Sequence, residues 1–217
     1  MHGYNCRGSC ETANTIPGWL WPEEAAFLYD VGFHSEGDIL ELGTYCGKST
    51  YLMAQGIRDA GKPYHVITVD VHWRGIDPQT NKPLILAEDS LVAVSRNLKT
   101  YGLEDVVIQM LGWTHRCVPL INFETIHAIF IDAGHDYESC SQDFLAVRRH
   151  LLPNRTVQLL MHDNGPTFPG VQRTINELVR TDRRFRHVID IISLFVCELV
   201  AEGECQTPER SSLHRAA

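Results

Sequence analysis

Five times along this chain a short apolar run is followed by a helix-forming stretch, and that alternation limits the folds open to it. The runs are DILEL (38–42), HVITVD (65–70), DVVIQML (105–111), HAIFID (127–132) and TVQLLMHD (156–163). They show little polar alternation, as expected of strands covered on both faces of a parallel sheet. Helix signals separate them. Pro22 opens PEEAAFLYDVGF, Gly61 ends YLMAQGIRDAG, and Asp89 caps SLVAVSRNLKTYG. A short helix is predicted around 115–121, a longer one from Tyr137 to Leu152 stopped by Pro153, and another in GVQRTINELVRTD (170–182). Two adjacent strands, RHVIDII and SLFVCELV, close the fold. The prediction is an α/β fold with a mostly parallel sheet and helices on both faces.

At 217 residues the chain suits one domain. Residues 1–18, rich in Gly, Asn, Ser and Thr, read as a flexible arm, residues 19–201 as the domain, and the polar residues 202–217 as a flexible tail. The long stretch 72–88, with two prolines, is expected to be a loop, a candidate lid. The chain holds 19 basic and 27 acidic residues, a net charge of −8 that disfavours bulk electrostatic binding of nucleic acid. The late arginines, Arg148, Arg149, Arg180, Arg183, Arg184 and Arg186, read as a solvated face or as partners of the acidic excess. No apolar run reaches the ~18–20 residues of a membrane span, and MHGYNCRGSC lacks the form of a signal peptide. Seven irregularly spaced cysteines form no paired metal motif and fit a reduced, cytoplasmic protein, with Cys6 and Cys10 only a weak metal cue beside His2.

In parallel sheets ligands bind beyond the carboxyl ends of the strands, so the residues following each run carry the functional information. Glu41-Leu42-Gly43-Thr44-Tyr45-Cys46-Gly47-Lys48-Ser49 follows the first. Its glycines allow a tight turn close to a ligand, and the helix that starts there offers free N–H groups. A phosphate loop of Walker type needs four residues between its glycines, and only Thr44, Tyr45 and Cys46 intervene. The dinucleotide pattern GxGxxG is absent as well, which leaves a ligand with an amino-acid head group. Asp70 ends the second run, where a carboxylate can accept from a ribose diol. Gly112-Trp113-Thr114 follows the third and can border a nucleobase.

The fourth and fifth runs end in Asp132-Ala133-Gly134-His135 and His162-Asp163-Asn164. Asp132, Asp163 and Asn164 are hard oxygen donors at one rim, suited to Mg²⁺ or a similar divalent cation. Singly, each would be an ordinary solvated acid or helix cap. His135 is placed to take a proton from a substrate hydroxyl, and His162 is the competing base.

From about Trp19 to Val200 the chain resembles the class I S-adenosylmethionine-dependent methyltransferases. ILELGTYCGKST resembles the first motif of the catechol O-methyltransferase group, and IFIDAGHDYESCSQDF, LLMHDN and FPGVQRTINEL are similar to the bacterial macrocin-type small-molecule O-methyltransferases. The resemblance implies a Rossmann-like sheet of seven strands with the last antiparallel. It implies Glu41, Gly43, Thr44, Tyr45, Gly47 and Ser49 around the methionine part of S-adenosylmethionine. Asp70 would take the ribose, Val71 would lie beside the adenosine, and Gly112, Trp113 and Thr114 near the adenine, with Asp132 at the edge of the same site. Asp132, Asp163 and Asn164 match the family's metal positions. The catechol enzymes carry a lysine base where this chain has His135. The implied reaction is metal-assisted methylation of a hydroxyl on a phenol, sugar or natural-product intermediate, by a protein that self-associates as a dimer or larger. A different S-adenosylmethionine reaction and a non-catalytic binding module of the same fold stay open as alternatives.

Overall fold

The computed structural model describes residues 6–72, 89–152 and 155–200, and the backbone of 76–77 and 82–83. All seven predicted strands form, as β1 (Asp38–Leu42), β2 (Val66–Asp70), β3 (Val107–Leu111), β4 (Ile126–Ile131), β5 (Val157–Met161), β6 (Phe185–Ile191) and β7 (Leu194–Leu199). They make one sheet in the order β3-β2-β1-β4-β5-β7-β6. The first five are parallel, while β7 runs antiparallel to both β5 and β6. That arrangement is the Rossmann-like architecture expected of the sequence. The strand order reverses at β1, so a crevice opens at the carboxyl ends of β1 and β4.

The helices are α1 (Cys6–Ala13), α2 (Pro22–His34), α3 (Lys48–Asp59), α4 (Ser90–Thr100), α5 (Thr114–Cys117), α6 (Tyr137–Arg148) and α7 (Pro169–Thr174). α5 runs on into a 3-10 turn at Val118–Leu120, and α7 into a π-helical turn at Ile175–Val179. Asp89 caps α4 as predicted, accepting from the Leu91 amide at 3.0 Å. α6 stops at Arg148, short of the predicted Leu152, and Pro153 lies outside the described residues.

Alternate residues of each strand feed two cores, because side chains one apart point to opposite faces. Ile39, Val66 and Phe130 pack with Leu28, Tyr29, Leu52, Met53 and Ile57 from α2 and α3. Leu40, Leu42, Ile129, Ile131 and Met161 pack with Phe144, Val147 and Ile175. α2 and α3 meet at backbone distance. A Cβ on Gly32 would stand 2.0 Å from the Met53 carbonyl oxygen, and one on Gly56 would stand 2.3 Å from that of Tyr29.

Within the polar segment read as an arm, residues 6–13 form α1, and Ala13 and Ile16 are buried in the α2–α3 core. Cys6 and Cys10, four apart on one face, pack against the same core, and these few side chains do not stand out in a polar stretch. Most of the candidate lid, residue 201 and the tail 202–217 lie outside the described residues, apart from a two-residue ladder between Ile76–Asp77 and Lys82–Pro83. No helix among the described residues is long and apolar enough to cross a membrane.

Candidate active site

β1 delivers the glycine turn to the crevice. Gly43 has φ +92°, and a Cβ there would lie 2.2 Å from the Asp132 carbonyl oxygen, so only glycine lets the turn press against the end of β4. The Asp132 amide in turn donates to the Leu42 carbonyl at 2.8 Å. Gly47 caps α3 in the left-handed region, and Tyr45 is also left-handed at φ +48°. Trp19 stacks on Tyr45 with ring centroids 5.7 Å apart, and Lys48 Nζ donates to the Gly18 carbonyl at 3.1 Å. The segment before α2 therefore lies across the glycine turn.

Three residues expected to face the methionine part of a ligand, Glu41, Thr44 and Ser49, are engaged in hydrogen bonds within the protein. Glu41 is fully buried, and its two oxygens accept from Ser49 Oγ and Thr50 Oγ1, each at 2.5 Å. Burial pushes its carboxyl up to about 7, against the pull of those hydroxyls. Thr44 is buried and its hydroxyl pairs with that of Thr68.

Asp70 is where the sequence places it, at the end of β2, and it shapes the glycine turn. Its Oδ2 accepts from the Thr44 and Tyr45 amides at 2.7 and 2.9 Å, and its Oδ1 from the His72 amide at 2.6 Å. Among the described residues His72 is the donor to Oδ1, and a second lone pair of that oxygen suits another hydroxyl. Val71 follows, half-buried. Gly112 donates to the Asp70 carbonyl at 2.9 Å, which sets Trp113 beside β2, half-exposed and stacked on His115. Thr114 turns inward. Its hydroxyl and the Gly134 amide meet Asp143 of α6, whose carboxyl burial pushes up to about 6.

β4 and β5 end side by side and bring Asp132, His135, His162 and Asp163 together. Asp163 is left-handed at φ +61°, which turns its side chain back to the cluster side of the chain. His135 Nε2 lies 2.8 Å from Asp163 Oδ2 and 3.5 Å from Asp132 Oδ1, but neither approach is in line with its ring N–H. The ring packs on Phe168 with centroids 4.6 Å apart. His162 is buried, with Nδ1 at 3.4 Å from both Asp132 Oδ1 and Asp163 Oδ1 and with no aligned hydrogen bond. Its Nε2 is 3.0 Å from Glu24 Oε2.

Burial pushes both aspartates up and both histidines down, but the opposite charges override it. The histidines hold both aspartates below the ordinary carboxylate range, and the aspartates raise both imidazoles. Asp132, His162 and Asp163 each offer one donor atom, all within 4.8 Å of one another. Two oxygens and an imidazole nitrogen suit a divalent cation such as Mg²⁺, Mn²⁺ or Zn²⁺. Asn164, expected as the third oxygen donor, is half-buried, and its backbone amide donates to the Ser193 carbonyl at 2.8 Å.

Sequence reasoning missed Glu24, Ser193 and Asp143. Glu24 carries only the signal of an acid in the first turn of a helix, which is ordinary N-terminal chemistry. Its contact with His162 spans 138 positions and that with Ser193 spans 169, beyond any local pattern.

A protein-family model described as a methyltransferase domain matches residues 40–164. Among solved structures, the chain is similar to an O-methyltransferase from Bacillus cereus in complex with SAH, with 20% identity, TM-score 0.61, and 89% of this chain and 88% of that one covered. It is similar to the SAH-bound methyltransferase PaMTH1 of Podospora anserina, with 14% identity, TM-score 0.65, and 90% and 87% covered. A methyltransferase from Geobacter sulfurreducens matches with 14% identity, TM-score 0.60, and 93% and 90% covered. At these identities the likeness is one of fold.

Proposed function

Because the chain belongs to the methyltransferase-domain family, we propose that it moves a methyl group from S-adenosylmethionine to a hydroxyl oxygen of a small molecule, with a divalent cation at the β4–β5 rim. The observation that carries this reading is the cluster of Asp132, His162 and Asp163 beside the glycine turn. The buried His162 Nδ1, facing two carboxylate oxygens with no aligned hydrogen bond, is the atom a cation would satisfy.

In this reading Gly43, Tyr45 and Gly47 shape the turn that receives the methionine part of the donor. Asp70 uses its spare Oδ1 lone pair on a ribose hydroxyl. Trp113 offers its exposed ring to the adenine. Glu41 and Ser49 support the turn from beneath, through their bond to each other. Asp132, Asp163 and His162 hold the cation, and Asn164 is a further oxygen donor from the same turn. S-adenosylmethionine supplies an electrophilic methyl carbon on a sulfonium. A divalent cation supplies a positive charge that acidifies an acceptor hydroxyl. His135 takes the proton of that hydroxyl at Nε2, its ring steadied by Phe168. A neutral imidazole is needed for that role, whereas the bare aspartates favour its charged form, so His135 works as a base when their charge is committed elsewhere. Alignment of acceptor and donor is worth up to roughly 7–11 kcal/mol of the barrier.

Asp163→Ala tests the assignment. Turnover of a hydroxyl-compound panel, followed by a mass gain of one CH₂ unit, is expected to vanish while SAH binding by calorimetry persists. Undiminished turnover in this variant, or in the wild type after exhaustive chelation, removes the cation from the reaction.

A further inference from the structure

Glu24 is a charged side chain with no exposed surface, and four donors converge on it. Its Oε1 accepts from Ser193 N at 2.8 Å and Ser193 Oγ at 2.7 Å. Its Oε2 accepts from Trp21 N at 3.0 Å and faces His162 Nε2 at 3.0 Å. An ionised carboxylate offers about four lone-pair sites, so this one is saturated. The contacts tie together the start of α2, the turn between β6 and β7, and the residue after β5. A carboxylate only accepts, and backbone and hydroxyl donors occupy its other sites. His162 Nε2 must therefore carry a hydrogen, and the lone pair of a neutral His162 falls on Nδ1, the atom between Asp132 and Asp163.

We propose that Glu24 is a positioning residue for the cation site: it fixes the orientation and Nε2–H tautomer of His162, so that Nδ1 becomes the nitrogen donor beside the two aspartates. The inference rests on the cation reading above and deepens it. Among the described residues, the polar partners of Glu24 are Trp21, His162 and Ser193, and none belongs to the glycine turn. Its influence runs through the imidazole, as outer carboxylates do for metal-bound histidines, where losing the partner costs roughly 10–100-fold in metal affinity. It also makes the cation site depend on α2 and on Ser193, both remote in sequence from Asp132 and Asp163.

The test uses the full chain as wild type, Glu24→Gln and Asp163→Ala. Manganese(II) is titrated and followed by electron paramagnetic resonance, and SAH affinity is measured by calorimetry on the same preparations. Wild type is expected to bind Mn²⁺ and Asp163→Ala to lose it. Glu24→Gln is expected to bind Mn²⁺ roughly 10–100-fold more weakly with unchanged SAH affinity. Equal Mn²⁺ affinity in wild type and Glu24→Gln overturns the role of Glu24 while leaving the cation site standing. No Mn²⁺ binding by wild type, or binding untouched by Asp163→Ala, overturns the cation reading and this inference with it. A parallel fall in SAH and Mn²⁺ affinity marks a merely structural residue and also overturns it. A readout that needs no variant is the ¹⁵N–¹H long-range spectrum of His162 in Mg²⁺-saturated wild type. A proton on Nε2 and none on Nδ1 is expected, and the reverse pattern overturns the proposal.

Discussion

Glu41 sits where no water reaches, and the hydroxyls of Ser49 and Thr50 only partly offset that burial. Its folded pKa of about 7 lies above the 4.5 of an exposed glutamate. The folded chain thus holds this proton more tightly than the unfolded chain does. Stability is lost as pH rises from about 4.5 to about 7 and is level above that, a change on the order of 3 kcal/mol for this group. Glu41→Gln keeps a hydrogen-bonding amide and removes the titration. Urea unfolding of both proteins at steps between pH 5 and 8 is expected to show the variant gaining on wild type through that window. A constant difference across it would mean that Glu41 titrates normally. At this scale the sequence was legible where a residue ends a strand. Asp70, Asp132 and Asp163 stand at the rim because strand ends can be read from apolar runs. The partner of a side chain could not be read in the same way. Nothing local in the sequence pairs Glu41 with Ser49 and Thr50, or His162 Nε2 with Glu24.

Helices pose the converse problem, since their existence is easier to read than their seating. α2 and α3 are visible from Pro22, Gly61 and their apolar faces, but Gly32 in the last turn of α2 reads only as a weak point. The structure makes it the contact that lets the two helices touch. Gly32→Ala would push a methyl into the Met53 carbonyl and is expected to cost about 1–3 kcal/mol through forced separation of α2 from α3. Gly8 of α1 is the opposite case. It is exposed, and nothing lies within 4 Å of a Cβ there, so Gly8→Ala is expected to stabilise by about 0.5–1 kcal/mol through helix propensity alone. Thermal melts of the two variants should move in opposite directions. A neutral Gly8→Ala would show that α1 contributes nothing to the folded state in solution. α1 escaped the sequence reading because CRGSCETA has only a weak apolar stripe: Cys6 and Cys10 pack on the core, and its fully buried anchors, Ala13 and Ile16, sit at and beyond its end.

On the scale of the whole molecule, the sheet order was legible only through resemblance. Local periodicity yields strands, but what places β1 beside β4 and reverses β7 is the packing of two cores that the strands share. That topology puts the glycine turn, Asp70 and the Asp132–His162–Asp163 cluster at one edge of one sheet, so ligands of the folded site should stabilise the entire chain. SAH at about 100 times its Kd adds roughly 2.7 kcal/mol, a rise of roughly 5–11 °C in Tm for a chain of this size. Mg²⁺ should add its own increment, because the donors proposed for it follow two strands and exist as a set only when the sheet is formed. Asp163→Ala should keep the SAH rise and lose the Mg²⁺ rise, since Asp163 belongs to the β4–β5 rim and the glycine turn is held by Asp70 and Asp132 from the other side. A variant that loses both increments would make the two sites one cooperative unit. A wild type that shows neither would leave the fold without the donor and the cation assigned to it.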